Sequence, residues 1–183
     1  MSGKPKSRKG LGVWFDIVSI ILTAAVIITL FFTFFFRFSS VVGISMEPTL
    51  HGGDWVILSQ MKREPQYGDI VVISQPNDFN ENIIKRVIAT EGQVIDINFK
   101  TGAVYVDGKK LDEPYINNPT TNQYDLKFPM RVPEGYCFCM GDNRQNSLDS
   151  RSSEVGFIQN DYILGEAVAA RTASGFQSMT FHR

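Results

Sequence analysis

The chain opens with a long apolar run and then changes to short alternating segments. Residues 17–36 hold no charge over 20 positions, and at about 1.5 Å per residue a helix of this length crosses a hydrocarbon core of about 30 Å. The run is apolar all round, unlike the one-sided pattern of a soluble core helix. It is also longer than the apolar part of a cleavable signal peptide and lacks a small-x-small end. The pattern predicts an uncleaved transmembrane helix at residues 13–36.

The charges that flank this run predict its orientation. Lys4, Lys6, Arg8 and Lys9 precede the run, whereas only Arg37 follows it closely. Basic residues favour the cytoplasmic side of a membrane. We therefore expect residues 1–12 to form a cytoplasmic tail and residues 37–183 to form an extracytoplasmic domain, in a single-pass protein of the plasma membrane.

The second part of the chain alternates like a β protein. Branched residues recur with a period of two, and Lys100-Thr101-Gly102 and Asp107-Gly108 are hairpin and turn signals. Residues 112–133 show no period and predict a long loop. The predicted strands are residues 55–59, 69–74, 83–90, 94–99, 103–107, 109–111, 136–140 and 162–171. The fold class is therefore mostly β: a single transmembrane helix followed by an antiparallel sandwich or barrel-like domain.

Composition removes several functional classes. The net charge of −1 provides no basic field, so we expect no nucleic acid partner. Cys137 and Cys139 are too few for a zinc site, and we interpret them as small buried residues without a disulfide. No metal-ligand cluster or phosphate-binding glycine loop is present in the sequence, so we expect no metal and no cofactor.

Lys85 lies in an unusual context. In a strand at Ile83-Ile84-Lys85-Arg86-Val87-Ile88, alternate residues share a face. Each face then has one basic residue between two apolar residues. A buried lysine has a lowered pKa, and a neutral lysine can take a proton from a serine hydroxyl. The alternative is a lysine whose amine reaches water at a strand edge.

A serine and a polar segment are the other candidates. Ser45 lies in Gly43-Ile44-Ser45-Met46-Glu47-Pro48-Thr49-Leu50, where the proline restricts the backbone and the glycine leaves room for a substrate. The segment from Gly141 to Arg151 is dense in hydrogen-bonding groups. By residue type alone, an ordinary turn serine and a solvated loop remain the alternatives. A Ser–His–Asp triad on His51 is a further one, whereas His182 lies too near the end of the chain to be held rigidly.

These segments together resemble the bacterial type I signal peptidases, specifically the small Gram-positive type with one N-terminal anchor. Ser45-Met46-Glu47-Pro48-Thr49-Leu50 is similar to the family's nucleophile box, and Lys85-Arg86-Val87-Ile88 to the box that carries its base. Gly141 to Arg151 is similar to the family's Gly-Asp-Asn-Arg-x-x-Ser-x-Asp-Ser-Arg. The resemblance covers nearly the whole chain, apart from the N-terminal tail and residues 112–133.

The resemblance implies a serine endopeptidase with a Ser–Lys dyad that removes signal peptides from exported preproteins at small-x-small sites. Ser45 is implied as the nucleophile, with its backbone N–H as an oxyanion donor, and Lys85 as the general base. Ser147 is implied to hydrogen-bond and orient the lysine. Asp149 and Arg151 are implied as a supporting pair, with Asp142 in the same loop.

Two positions depart from the family's pattern. Some members have a serine two residues before the nucleophile that completes the oxyanion hole, and this chain has Gly43 there. Loss of such a donor costs about 3 kcal/mol in other hydrolases, so a backbone group or a water must replace it. After the base box, Ala89-Thr90-Glu91-Gly92-Gln93 replaces the usual Gly-Leu-Pro-Gly-Asp, which changes the following turn.

The expected partners are preproteins with signal peptides and membrane lipid, and the export machinery is a candidate partner. The apolar residues Val41, Val42, Met46, Leu50 and Trp55 are expected either to touch the lipid surface or to pack in the core. Two other functions remain: a cytosolic Ser–Lys autoprotease, which has no use for the apolar span, and a non-catalytic membrane-anchored β domain.

Overall fold

The computed structural model describes residues 9–61, 64–74 and 81–179. It divides the chain into two compact units, Met1–Phe36 and Arg37–Arg183. Helix α1, Lys9–Phe35, makes up the described part of the first unit, and its segment Gly12–Phe35 is long and apolar enough to cross a membrane. Three of the predicted basic tail residues, Lys4, Lys6 and Arg8, lie outside the described residues.

The second unit is built from short strands, and every strand pair that we describe below is antiparallel. In chain order the strands are β1 (Phe36–Ser40), β2 (Trp55–Ser59), β3 (Ile70–Ile73), β4 (Ile83–Thr90), β5 (Val94–Asn98), β6 (Ala103–Val106), β7 (Lys109–Lys110), β8 (Met130–Arg131), β9 (Tyr136–Met140), β10 (Ile158–Gln159), β11 (Ile163–Thr172) and β12 (Gly175–Ser178).

Two sheets contain these strands. The larger has the order β1-β2-β11-β3-β4-β9-β10, with β12 paired to β11, and the smaller has the order β7-β6-β5-β8. β11 is long enough to join the two halves of the larger sheet, because its first half pairs with β3 and its second half with β2. The predicted fold class, mostly antiparallel β behind an apolar helix, is confirmed.

Strand β4 pairs with different partners along its length. Its residues from Ile83 to Arg86 pair with β3, whereas β9 pairs with it only from Arg86 onward. The register with β9 shifts between Val87 and Ala89, which marks a bulge. Consequently the side of β4 away from β3 has no strand partner at Ile83 and Lys85 among the described residues.

The core has separate clusters on the faces of the larger sheet. Apolar residues between the two sheets pack around Phe138, and a second cluster packs around Val56 and Ile70. The second cluster also contains three residues that flank Ser45 in the sequence, Val41, Met46 and Leu50. These three anchor the serine-containing segment to the domain.

Of the two alternatives for these five apolar residues, lipid contact and core packing, the structure selects core packing for three. Val41, Met46 and Leu50 are buried in the core, so the alternative of core packing holds for them. Val42 and Trp55 are exposed, at 79% and 52% of their surface. Strand periodicity cannot separate these outcomes, because the segment at residues 41–50 is a turn and not a strand.

Each predicted strand is present in the structure, with ends that differ by one residue or less. The sequence analysis missed β1, β8, β10 and β12. β1 follows the apolar run without a break, so hydropathy does not separate it from the helix. β8 and β10 have two residues each, too few for a period to be visible.

Candidate active site

The structure brings Ser45 and Lys85 together across 40 positions of sequence. Lys85 Nζ donates a hydrogen bond to Ser45 Oγ at 2.9 Å. Lys85 projects from β4, where only 4% of its surface is exposed, among apolar residues of the same strand. The prediction that this lysine is buried is therefore confirmed, and the alternative of an amine that reaches water is wrong.

Burial sets the ionisation of this lysine. Removal of the amine from water lowers the pKa of Lys85 from its usual value of 10.5. The charge of Asp149 is the largest opposing influence on this pKa, followed by those of Cys139 and Asp142, whereas Arg151 lowers it further. Desolvation outweighs these charges, so the neutral form of the amine is more accessible at Lys85 than at an exposed lysine.

Ser45 lies in a compact turn at residues 43–50, which we call the nucleophile turn. Gly43 enters it with φ of 81°, a conformation that favours glycine over serine or any other residue with a Cβ. Glu47 N–H donates to Ile44 O, and Leu50 N–H donates to Met46 O. The backbone N–H of Ser45 makes no hydrogen bond with any described residue, so it is available to an oxyanion.

The segment at residues 141–152, which we call the polar loop, packs directly on this turn. Asn143 N–H donates to Ser45 O at 3.0 Å, and its side-chain Nδ2 donates to Ile44 O at 3.1 Å. A Cβ on Gly141 would lie 2.4 Å from Ser45 O and 2.2 Å from Ser147 Oγ. Only a glycine fits here without displacing the nucleophile turn.

Buried ion pairs hold the polar loop. Asp142 binds Arg86 of β4 through two hydrogen bonds, of 2.8 and 2.6 Å, and also accepts one from Thr49 Oγ1 of the nucleophile turn. Asp149 binds Arg151 in the same two-pronged manner, at 2.8 and 2.9 Å. Paired, fully hydrogen-bonded charges are the form in which buried carboxylates persist.

Ser147 differs from the expected arrangement. Its Oγ is buried and has no hydrogen-bond partner among the described residues, so the expected bond to Lys85 is not formed. The hydroxyl lies against Gly141, and the amine of Lys85 is engaged by Ser45. Ser147 is held through its backbone instead, because its carbonyl accepts hydrogen bonds from Tyr124 and Arg151.

The structure does not form the alternative triad on His51. The His51 side chain is 59% exposed in a surface turn, and the ionic partner nearest to it is Asp54, at 4.0 Å. His182 lies outside the described residues. Cys137 and Cys139 are both buried thiols with their sulfurs 3.6 Å apart, as free cysteines.

Sequence reasoning missed the contribution of residues 113–124. Glu113 and Thr120 bind the buried guanidinium of Arg144, and the ring of Tyr115 lies against Arg86. One signal was available: an arginine that is buried in the segment at residues 141–151 needs an acid, and Asp112, Glu113 and Asp125 are the acidic residues of the aperiodic segment 112–133. No local pattern, however, connects residue 113 to residue 144.

A cleft of about 150 Å³ opens at the serine and the lysine. It is bounded by the end of β1, the nucleophile turn and the start of β4. Its described lining residues are Ser39, Ser40, Val42, Ser45, Val72, Glu81, Asn82, Ile83, Ile84 and Lys85. Another cavity, of about 190 Å³ beside β3 and β11, contains neither Ser45 nor Lys85, so it has no part in this chemistry.

Comparison with known proteins identifies the family. The sequence profile described as "Signal peptidase, peptidase S26" matches residues 14–171. This chain belongs to that family. The match runs from within α1 to the end of β11 and includes every candidate site residue, together with residues 112–133, which the motif resemblance did not cover.

Individual relatives in the signal peptidase family are similar over most of the chain. "Probable signal peptidase I-1" of Synechocystis sp. is 42% identical over 134 residues, which are 68% of this chain and 65% of that protein. "Signal peptidase I" of Bacillus licheniformis is 36% identical over 82% of this chain and 84% of its own length. A solved signal peptidase I from Enterococcus faecalis V583 is 29% identical, covers 57% of this chain and 97% of its own, and has a TM-score of 0.45.

Proposed function

We propose that this chain is a membrane-bound serine endopeptidase that removes N-terminal signal peptides from exported preproteins. Ser45 is the nucleophile and Lys85 the general base. The observation that carries the proposal is the 2.9 Å hydrogen bond between Ser45 Oγ and a lysine amine that is buried among apolar residues. Membership of the signal peptidase family favours this function over an autoprotease or a non-catalytic domain.

The two side chains can complete an acyl-transfer cycle. Ser45 Oγ attacks the peptide carbonyl while the neutral Lys85 amine accepts its proton, and the backbone N–H of Ser45 stabilises the oxyanion. The resulting ammonium delivers a proton to the leaving amine of the mature protein. Water, deprotonated by Lys85, then attacks the ester carbonyl, and Lys85 returns this proton to Ser45 Oγ as the signal peptide leaves with its new carboxyl group.

The buried charged residues around the site hold Ser45 and Lys85 in position. Asp142 links Arg86 of β4 to Thr49 of the nucleophile turn. Asp149 accepts a hydrogen bond from Gly141 N–H at 3.0 Å and also pairs with Arg151. Gly43 lacks the side chain that would complete an oxyanion hole, so a backbone group or a water supplies the second donor. Ser147 places a buried hydroxyl in the same loop.

We propose that the substrate binds as an extended strand along β4. The side of β4 away from β3 has no strand partner at Ile83 and Lys85 among the described residues, and the cleft lies at this end of the strand. Addition of a strand to a free edge gives affinity through main-chain hydrogen bonds. The cleft's volume of about 150 Å³ suits small side chains, in keeping with cleavage at small-x-small sites.

The apolar helix supports an anchor in the plasma membrane. We propose that residues 13–36 cross the bilayer once, with residues 1–12 in the cytoplasm and residues 37–183 outside it, as the flanking basic residues predict. In this arrangement the partners are preproteins and membrane lipid, with the export machinery as a further candidate. No cofactor or metal has a role in the proposed chemistry.

The test is cleavage of a purified preprotein by the detergent-solubilised chain. Ser45→Ala and Lys85→Arg are both expected to lower kcat/KM by about 10²–10⁴-fold or more, because alanine lacks the nucleophilic hydroxyl and arginine stays charged and cannot accept a proton. The matched control is Lys110→Ala, an exposed lysine on β7, which is expected to cleave at the wild-type rate. Full activity in Lys85→Arg would contradict the dyad.

A further inference from the structure

Residues 113–124, which we call the clasp, bind the polar loop through contacts other than those that it makes with the nucleophile turn. Glu113 pairs with Arg144 at 2.6 Å, and Arg144 also donates to Thr120 Oγ1 at 2.7 Å. Tyr124 OH donates to Ser147 O at 2.9 Å. The polar loop is therefore held between the clasp and Ser45, and displacement of the clasp would move it.

Tyr115 is the point at which the clasp meets strand β4. Its ring is almost fully buried, and the central carbon of the Arg86 guanidinium lies 4.1 Å from the ring centroid. The phenol hydroxyl donates to Glu113 Oε1 at 3.1 Å and lies 3.3 Å from Tyr67 OH. A guanidinium that lies over a desolvated aromatic ring is attracted to the electron-rich face of the ring.

Arg86 in turn is bound on the edges of its guanidinium. Nε and Nη2 donate to Asp142, and Nη1 donates to Gly68 O at 2.8 Å. The nitrogens thus bind acceptors while the central carbon lies over the Tyr115 ring. Loss of the ring would remove the contact on that side of the guanidinium and leave it freer to move away from Asp142.

We propose that Tyr115 is a positioning residue for the reaction: its ring holds Arg86 on Asp142, and Asp142 holds Thr49 of the nucleophile turn and so the placement of Ser45 against Lys85. The inference rests on the proposed function for its kinetic consequence, but the contacts from Tyr115 to Thr49 are independent of substrate.

The arrangement also has an electrostatic consequence. The charged or titratable groups that influence Lys85 are Asp149, Cys139, Arg151 and Asp142. Arg86 neutralises the last of these. If the guanidinium moves away, the Asp142 carboxylate acts on the amine with less compensation, favours the ammonium and raises the pKa of Lys85. Fewer molecules would then carry the neutral base at a given pH.

Three variants distinguish the effects of the Tyr115 ring, of its hydroxyl and of the loss of a packed ring elsewhere in the domain. Tyr115→Phe keeps the ring over Arg86 and removes the hydroxyl, whereas Tyr115→Leu removes the ring. The matched control is Tyr136→Leu, which deletes a half-buried tyrosine ring that packs on the cluster around Phe138, away from the dyad. Each full-length variant is measured in detergent for thermal unfolding, kcat, KM and the pH dependence of kcat/KM.

A second measurement needs no substrate. The full chain is labelled with ¹⁵N-lysine, and the Lys85 amine is titrated by NMR in detergent micelles, with Lys85→Ala to identify its signal. Tyr115→Leu is expected to lower kcat about tenfold, with KM changed less than about threefold, and to move the Lys85 titration up by about half a unit or more. Tyr115→Phe and Tyr136→Leu are expected to keep the wild-type titration and kcat within about threefold.

The proposal is overturned if Tyr115→Leu titrates Lys85 at the wild-type pH and loses kcat only in proportion to its unfolded fraction. It is also overturned if Tyr115→Phe is as impaired as Tyr115→Leu, because the hydroxyl and not the ring would then be responsible. If the wild-type chain does not cleave preproteins but the Lys85 titration still moves in Tyr115→Leu, the proposed function fails and the positioning role stands.

Discussion

At the scale of single residues, burial of the Lys85 amine lowers the stability of the fold but suits the amine to act as a base. The amine is buried on β4, and its removal from water lowers its pKa. The unfolded chain therefore binds more protons at this residue than the folded chain does, at pH values between the lowered pKa and 10.5. The free energy of unfolding rises with pH in this window, and below it the cost of the buried amine is constant.

Replacement of this lysine by an apolar residue of similar length should stabilise the domain. We expect Lys85→Met to raise the free energy of unfolding at neutral pH by about 1–3 kcal/mol, the cost that mutational data assign to the burial of a polar group without full compensation. The gain should shrink as the pH approaches 10.5, where the wild-type cost disappears. Denaturant unfolding at several pH values measures this; a gain that grows with pH would contradict the assigned direction.

At the scale of elements, the site is a junction of three segments that differ in kind. β4 carries Lys85 and Arg86 on opposite faces, and the nucleophile turn carries Ser45. The polar loop binds β4 through Asp142 and the nucleophile turn through Asn143. The close approach of Gly141 to Ser45 O places the polar loop within van der Waals distance of the turn. The placement of Ser45 against Lys85 thus depends on contact between backbones as well as on side chains.

Gly141→Ala tests this contact. A Cβ there meets Ser45 O at 2.4 Å, so the turn or the loop must move and kcat should fall by about 10²-fold, as for other displacements of about 1 Å. Gly165→Ala on β11 is the matched control, since its Cβ meets a different carbonyl, Ser59 O, at 2.6 Å. Both variants should unfold at lower temperature, but only Gly141→Ala should lower kcat in the folded protein. Equal kcat values for the two would contradict the assignment.

At the scale of the whole molecule, an apolar helix and a β-rich unit share one chain. The two units are Met1–Phe36 and Arg37–Arg183, and the described helix has apolar side chains exposed on all sides. A helix of this kind is stable in lipid, where its backbone groups are bonded internally. The domain can act on exported proteins only if the helix inserts with residues 37–183 outside.

Topology can be measured directly in intact cells. With an epitope tag at the N-terminus, protease added outside should digest residues 37–183 and leave a tagged fragment of the tail and span protected inside the cell. The expectation follows from the four basic residues that precede the span. Disruption of the membrane before protease is added provides the control, since the tag should then be lost. A tag that is digested in intact cells would reverse the proposed orientation.

Local patterns in the sequence determined the apolar helix, most of the strands and the candidate site residues. The apolar run is long enough to span a membrane, and β4 was predicted with the same ends that the structure shows. The apolar residues on both sides of Lys85 indicated burial but left open an amine that reaches water, and the resemblance of the three boxes favoured the buried base. The boxes around Ser45, Lys85 and residues 141–151 identified the candidate chemistry before any distance was known.

Only the tertiary structure decided which groups meet. The pairing of Glu113 with Arg144 and the contact of Tyr115 with Arg86 join segments that no periodicity relates. The hydroxyl of Ser147, which has no hydrogen-bond partner in the part of the chain that the structure describes, departs from what its motif implied. It also showed that Met46 and Leu50 face the core rather than lipid. The physical reason is that a turn or aperiodic segment has no repeating geometry, so the direction of its side chains is set by what packs against it.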